Sequence, residues 1–328
     1  MALASYGIGL IGVGRHGSRY AHHLLHDVAG AHLAAVCRKR AEEGLESFPS
    51  VNVPVYGDYR ALIKEPAVHA VVAVTFPTLC RDICLEAVRA GKPVLIEKPL
   101  AASVQDAHTM VEAAEQAGVL LMTAQTMRFD QTVLKVKEWL PRIGPLCSAN
   151  MSSHIEAKSS TLATAQAFGD RGALLEIGVH LLDLVRFLSG DEVGGVQCTM
   201  EPAPPAGPEI SASVRLKTKK GILCDLDIAR TAIGRVARME WIGRDGHINA
   251  DWSRRLVTLV LGDCPPLEHV CTAQPTVLAT LQAFIQAVST GTPPPITGRD
   301  GLIAVEIAEA CYRSAARQGA VLSIESRR

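Results

Sequence analysis

A chain of 328 residues with 48% apolar and 20% charged side chains is long enough for two ordinary domains and too apolar to be disordered. Its 33 basic and 33 acidic residues cancel, which excludes a broad basic surface for nucleic acid. No apolar run is long enough for a membrane span, no cationic leader precedes an apolar core, and nine scattered cysteines suit reduced thiols, so a cytoplasmic protein is expected.

The chain enters a short apolar strand at residues 6–11 and continues Gly12-Val13-Gly14-Arg15-His16-Gly17. Two frames fit G-x-G-x-x-G: Gly7, Gly9, Gly12, or Gly12, Gly14, Gly17. The motif works only between a strand and a helix. The first frame leaves almost no strand and buries glycines in the helix, each costing about 1 kcal/mol relative to Ala. In the second, Gly12 permits the tight turn, Gly14 lets a pyrophosphate approach, and Gly17 lets helix and strand pack closely. The helix then runs from about Gly14 through Ala21, His22, Leu24 and Leu25. His22, His23 and His26 lie on it, away from the strand ends, and read as helix surface rather than metal ligands. No metal is expected.

Further apolar strands fall near 32–37, 70–75, 93–96 and 119–123. They alternate with helices that include 79–90 and 103–117, the latter capped by Ser103 and Gly118. Strands apolar throughout suit a parallel sheet covered on both faces. The pattern is α/β, a doubly wound Rossmann sheet over residues 1–123. After the second strand comes Cys37-Arg38-Lys39-Arg40, where a fold that prefers NAD carries an acid. Arg38 and Lys39 suit a ribose 2′-phosphate, so NADP(H) is favoured over NAD(H). A solvated turn is the plainer alternative. Cys80 and Cys84 lie one helical turn apart and read as plain thiols. Glu97-Lys98-Pro99 stands at the carboxyl end of the 93–96 strand, at the edge where open α/β sheets bind ligands. A Lys there can point into the crevice beside a nicotinamide ring.

The pattern changes after about residue 124. A helical stretch at 172–189 precedes strand-like runs at 194–201, 209–218, 221–230, 235–243 and 255–261. Turns at Lys219-Lys220-Gly221 and Arg244-Asp245-Gly246 join some of them, and Pro202 to Pro208 forms a proline-rich loop. Helices at 275–290 and 299–317 and a strand at 320–324 follow. This predicts a C-terminal α+β domain over 124–328 with an open, largely antiparallel sheet, its final segment able to pack back on the first domain. Glu176, His180 and Asp183 share one face of the 172–189 helix. A polar stripe in so apolar a helix either faces a cleft or contains a paired buried group. A carboxylate beside a His orients the ring for proton transfer. The spacing also suits a metal, but no third ligand is visible.

These blocks, taken in order, resemble the glucose–fructose oxidoreductase, inositol dehydrogenase and rhizopine-catabolism (Gfo/Idh/MocA) family. The resemblance rests on Gly12-x-Gly14-x-x-Gly17, Thr75-Phe76-Pro77, Ala90 through Pro99, Arg128-Phe129, Glu176-x-Gly178-x-His180-x-x-Asp183 and Thr297 through Gly301. It spans nearly the whole chain, and Glu-Lys-Pro is its most specific element. It implies an NAD(P)-dependent dehydrogenase or reductase acting on the hydroxyl or carbonyl of a sugar, cyclitol or related small molecule. Lys98 is then the catalytic lysine, His180 the general acid/base, and Glu176 its helper. The loop Gly12, Val13, Gly14, Arg15, His16, Gly17 would hold the cofactor with Arg38, Lys39, Thr75, Phe76, Pro77, Glu97 and Lys98. Arg128 and Asp183 would join Lys98, Glu176 and His180 around the substrate. The resemblance also implies a homodimer or homotetramer formed through the C-terminal sheet, with no nucleic-acid or membrane partner. The chain departs from the family in carrying Glu176 for the usual Asp, Cys80 for a common His, and Arg38 for the ribose-binding acid. A non-catalytic sensor of the same fold and a redox-neutral NAD-dependent glycosidase are the competing readings.

Overall fold

The computed structural model of the chain describes residues 5–41, 52–156, 166–202, 207–231 and 234–324. The chain divides into two compact units, residues 1–126 with 275–302, and residues 127–274 with 303–328. The segment grouped with the N-terminal unit is thus 275–302, whereas the terminal residues belong to the second unit.

In the first unit, β1 (Tyr6–Ile11), β2 (Ala31–Cys37), β3 (Val55–Tyr56), β4 (Ala70–Ala73), β5 (Val94–Glu97) and β6 (Leu121–Ala124) form one sheet in the order β3-β2-β1-β4-β5-β6. Every pairing is parallel. Helices α1 (Gly17–His26), α2 (Tyr59–Lys64), α3 (Pro77–Arg89) and α4 (Val104–Ala117) make the crossovers. Ile8, Leu10, Val36, Val71, Val72, Leu95, Ile96 and Met122 are all buried, so the apolar runs fill both faces of the sheet. Each such side chain contributes about 1.5–3 kcal/mol by leaving water. The strand order reverses between β1 and β4, which puts a ligand crevice at their carboxyl ends. Ser103 caps α4 by accepting from the Asp106 N–H at 3.1 Å, and Gly118 ends it at φ +63°. Two short elements, β3 and α2, carry too few residues to show a period in the sequence. α1 begins at Gly17 rather than near Gly14, with residues 14–16 forming a bend and turn ahead of it.

The second unit holds β7 (Leu146–Glu156), β8 (Val193–Pro202), β9 (Glu209–Thr218), β10 (Leu223–Thr231), β11 (Val236–Gly243), β12 (Gly246–Asp251), β13 (Leu256–Leu261), β14 (Leu267–Val270) and β15 (Leu322–Ser323). Their order is β14-β13-β12-β11-β7-β10-β9-β8-β15. Among the described residues, only β7 with β10 is parallel; the other pairs are antiparallel. β7, β12 and β14 are strands that the sequence reading does not contain. β7 sits at the centre, yet its Ser148, Asn150, Ser152 and Ser153 hide it from a search for β-branched and aromatic residues. In β9, Ala212, Val214 and Leu216 are buried while Arg215 and Lys217 are exposed, the alternation of a sheet with one covered face.

Helices α5 (Gln131–Trp139) and α6 (Val179–Ser189) supply Val136, Leu181 and Leu184 to a core that includes Trp241 of β11. Two further helices lie between β14 and β15 in the chain, α7 (Thr276–Thr290) and α8 (Gly298–Ala315); α7 lies in the first unit, and α8 begins there and ends in the second. The helical stretch expected at 172–189 is present but is not α-helical throughout. Leu174–Gly178 is a π-helical turn, and the α-helix proper starts at Val179. A reading at 3.6 residues per turn cannot show such a wider turn. Of the proline-rich loop, residues 203–206 lie outside the described residues. No described helix is long and apolar enough to cross a membrane.

Candidate active site

The glycine turn is fixed by close packing. Gly12 has φ +91°, and a Cβ there would stand 2.2 Å from the Val74 carbonyl oxygen. At Gly17 a Cβ would stand 1.9 Å from the Gly12 carbonyl oxygen. Gly14 differs: no described atom lies within 4 Å of the place a Cβ would take. Protein packing therefore does not demand glycine there, whereas a phosphate approaching the backbone at the start of α1 would. The turn fits a dinucleotide on this ground. Val13 accepts from the Ser18 hydroxyl at 3.3 Å, and Arg15 and His16 are exposed.

The Gly12 N–H donates to the Cys37 carbonyl at 2.9 Å, tying the turn to the end of β2. Arg38 is the next residue, half-buried, and its own N–H donates to Tyr56 at 3.0 Å. Lys39 is exposed. The basic run therefore begins beside the glycine turn, where a ribose hydroxyl or 2′-phosphate would be read.

Thr75 and Phe76 lead from β4 into α3, whose first residue is Pro77. Phe76 is half exposed, while Cys80 is enclosed. Burial pushes the Cys80 thiol up to about 12, with Thr75 opposing, and the Cys84 thiol likewise up to about 12. Both are protonated packing groups.

Glu97 ends β5 and is buried. Its Oε1 accepts from the Tyr20 hydroxyl at 2.6 Å and lies 2.7 Å from His16 Nε2, while its Oε2 accepts from the Lys98 N–H at 2.9 Å. Burial alone would raise its pKa. The His16 contact, the Lys98 charge and the Tyr20 bond outweigh it, so the carboxyl sits below its ordinary value. Burial and the Glu97 charge hold the Tyr20 phenol well above its own. Glu97 is thus a carboxylate and Tyr20 a donor. Burial pulls the Lys98 ammonium below the ordinary lysine value, against the Glu97 charge. Tyr20 is a supporting residue that sequence spacing does not reveal.

In the second unit, Glu176 lies on the π turn and His180 in the first turn of α6. Glu209 of β9 holds this segment by accepting from the Gly172 N–H at 2.8 Å and the Leu174 N–H at 3.0 Å, and the Tyr312 hydroxyl donates to it at 2.6 Å. A carboxylate there also suits the positive end of a helix. Glu176 forms an ion pair with Arg230 of β10, a residue the sequence gives no reason to single out. Burial lowers the Arg230 pKa, and its side chain is only 15% exposed.

Arg128 and Asp183 meet in a two-pronged ion pair, Nε to Oδ2 at 2.8 Å and Nη2 to Oδ1 at 2.5 Å. Both are buried, at 9% and 1% exposure, so this is an internal pair that ties the segment before α5 to α6. Asp183 thus belongs to Arg128, although it follows His180 on the same helix. Lys98 stands in the first unit and His180 in the second.

Residues 6–125 match the model of an oxidoreductase family with an NAD-binding Rossmann fold, Gfo/Idh/MocA, and residues 133–249 match the C-terminal domain of that family. The chain is 30% identical to myo-inositol 2-dehydrogenase of Thermotoga maritima, over 94% of this chain and 95% of that protein. It is 31% identical to inositol 2-dehydrogenase 2 of Saccharopolyspora erythraea, over 94% and 93% respectively. The crystal structure of a probable dehydrogenase from Thermotoga maritima aligns with a TM-score of 0.83 at 27% identity, covering 96% of this chain and 98% of that one.

Proposed function

The chain belongs to the Gfo/Idh/MocA family of NAD-binding oxidoreductases, and from that premise we propose that it moves a hydride between NADP(H) and a secondary hydroxyl or carbonyl of a cyclitol, sugar or related small polyol. The observation that carries the chemistry is Lys98 at the carboxyl end of β5, beside a buried carboxylate that supports its ammonium. The inositol dehydrogenases among its relatives support the substrate class. The preference for NADP(H) rests on Arg38, set beside the glycine turn by the Gly12–Cys37 bond.

When bound, the nicotinamide takes or returns the hydride. The protein handles the proton and the charge. Neutral imidazole at His180 takes the hydroxyl proton as the carbonyl forms. The Lys98 ammonium holds the oxygen on which negative charge develops, as a preorganised cation does. Glu176 steadies His180, and Arg230 fixes Glu176. Glu97, Tyr20 and His16 hold the backbone that carries Lys98. The exposed polar face of the second sheet, with Arg215 on Asp225 at 2.7 Å and His154 on Asp227 at 2.8 Å, is proposed as the surface for a homodimer or homotetramer.

The test is a panel of inositols, aldoses and their ketones with NADP and NAD, followed by nicotinamide absorbance. Turnover of a polyol or sugar, faster with NADP, is expected. No turnover with any of them contradicts the substrate class. Arg38→Asp removes charge-assisted bonds of about 1.5–3 kcal/mol each, so the NADP/NAD preference should fall roughly tenfold to a hundredfold. An unchanged ratio refutes the role of Arg38.

A further inference from the structure

The last turn of α1 lies at the opposite end of that helix from the glycine turn, and it gathers groups the proposed reaction does not use. His23 Nδ1 lies 2.6 Å from Asp27 Oδ2, and His22 Nε2 lies 3.7 Å from the same oxygen. The three donor atoms fall within 4.8 Å of one another. The His26 ring stands 4.9 Å from that of His22. A search for histidine spacing alone sees a helix surface; Asp27 is the third donor it leaves out.

We propose that this cluster is a binding site for a late first-row divalent cation of the zinc type, held by His22, His23 and Asp27. The donor chemistry selects the ion. Two imidazole nitrogens and one carboxylate suit zinc, nickel or copper, whereas magnesium and calcium require sets of oxygens. Tetrahedral zinc with bonds of about 2.0–2.2 Å places its ligand atoms about 3.3 Å apart. The observed separations straddle that value, and turning the exposed His22 ring closes the site. His23 is buried at 8% exposure and acts as the fixed ligand, while His22 and Asp27 are open to solvent and reachable by an ion.

The end of α1 favours a cation. Asp27 caps the carboxyl end of α1, its N–H donating to the His23 carbonyl at 2.9 Å. The partial negative charge at that end of the helix adds to the attraction. Placed here, the ion clamps the end of α1 and stabilises the first unit without entering the chemistry. This inference does not depend on the proposed substrate or cofactor.

The experiment is calorimetric titration of tag-free protein with zinc chloride, paired with thermal denaturation, for the wild type, His22→Ala and Asp27→Asn. The wild type should bind a single equivalent and melt higher with zinc but not with magnesium chloride. Each variant should lose about tenfold or more in zinc affinity while melting normally without zinc and binding dinucleotide as the wild type does. Zinc binding that either variant keeps at wild-type affinity would assign the ion elsewhere, for instance to the exposed Cys147 or Cys264, and would overturn the site. So would a wild type that binds none.

Discussion

Glu97 and Glu176 stand close in the chain to the two residues assigned to the chemistry, yet their carboxylates are held differently. Glu97 meets the Tyr20 hydroxyl, His16 and the Lys98 backbone, so its charge still acts on the Lys98 ammonium beside it. Glu176 meets the guanidinium of Arg230, a fixed opposite charge from a distant strand. The first carboxylate supports a neighbouring cation. The second is paired with a guanidinium.

The largest effects are expected from substitutions at His180 and Lys98. Loss of general acid/base catalysis in His180→Ala should lower kcat about 10²–10⁴-fold. Lys98→Ala removes the cation facing the developing oxyanion and should cost about 10²–10³-fold, with dinucleotide binding intact by fluorescence titration. Full activity in either variant would remove that residue from the chemistry. Arg128→Met leaves the buried Asp183 carboxylate without its guanidinium and should destabilise the protein by about 3 kcal/mol in urea unfolding. A change near zero would mean that water reaches Asp183.

The pH dependence separates the two carboxylates more gently. Lys98 titrates below the ordinary lysine value, so its ammonium is lost, and kcat falls, at a lower pH than an unperturbed lysine would give. Lys98→Arg should move that alkaline limb upward; a limb that stays put belongs to another group. Glu97 has a depressed pKa, so its contribution to stability is complete above the ordinary carboxylate pKa and is lost as pH falls through the lower folded value. Tyr20→Phe removes one of its donors and should cost about 1.5 kcal/mol at neutral pH, less in acid, as read from denaturant midpoints. An equal loss at both pH values would make Tyr20 a packing residue only.

The sequence makes the first unit legible because its strands are buried on both faces and its turn needs glycine at Gly12 and Gly17. It places Lys98 at a strand end by local order alone. The second sheet is harder to read. Its central strand β7 is interspersed with Ser and Asn side chains whose fit depends on neighbours far along the chain. The same holds for the partners around the site. Arg230 reaches Glu176, Arg128 reaches Asp183 and Tyr20 reaches Glu97 only after the fold has formed, and no spacing rule announces them. The polar stripe on the 172–189 segment is visible in sequence, but the π turn beneath Glu176 is not, because a single wider turn leaves no period.

Transfer of deuterium reads the proposed hydride step itself. A polyol turned over by the enzyme, labelled at the carbinol carbon, should pass its deuterium to C4 of the nicotinamide with a primary isotope effect, and Lys98→Ala should slow that transfer. Turnover of the labelled polyol with no deuterium on the released nicotinamide would contradict the account.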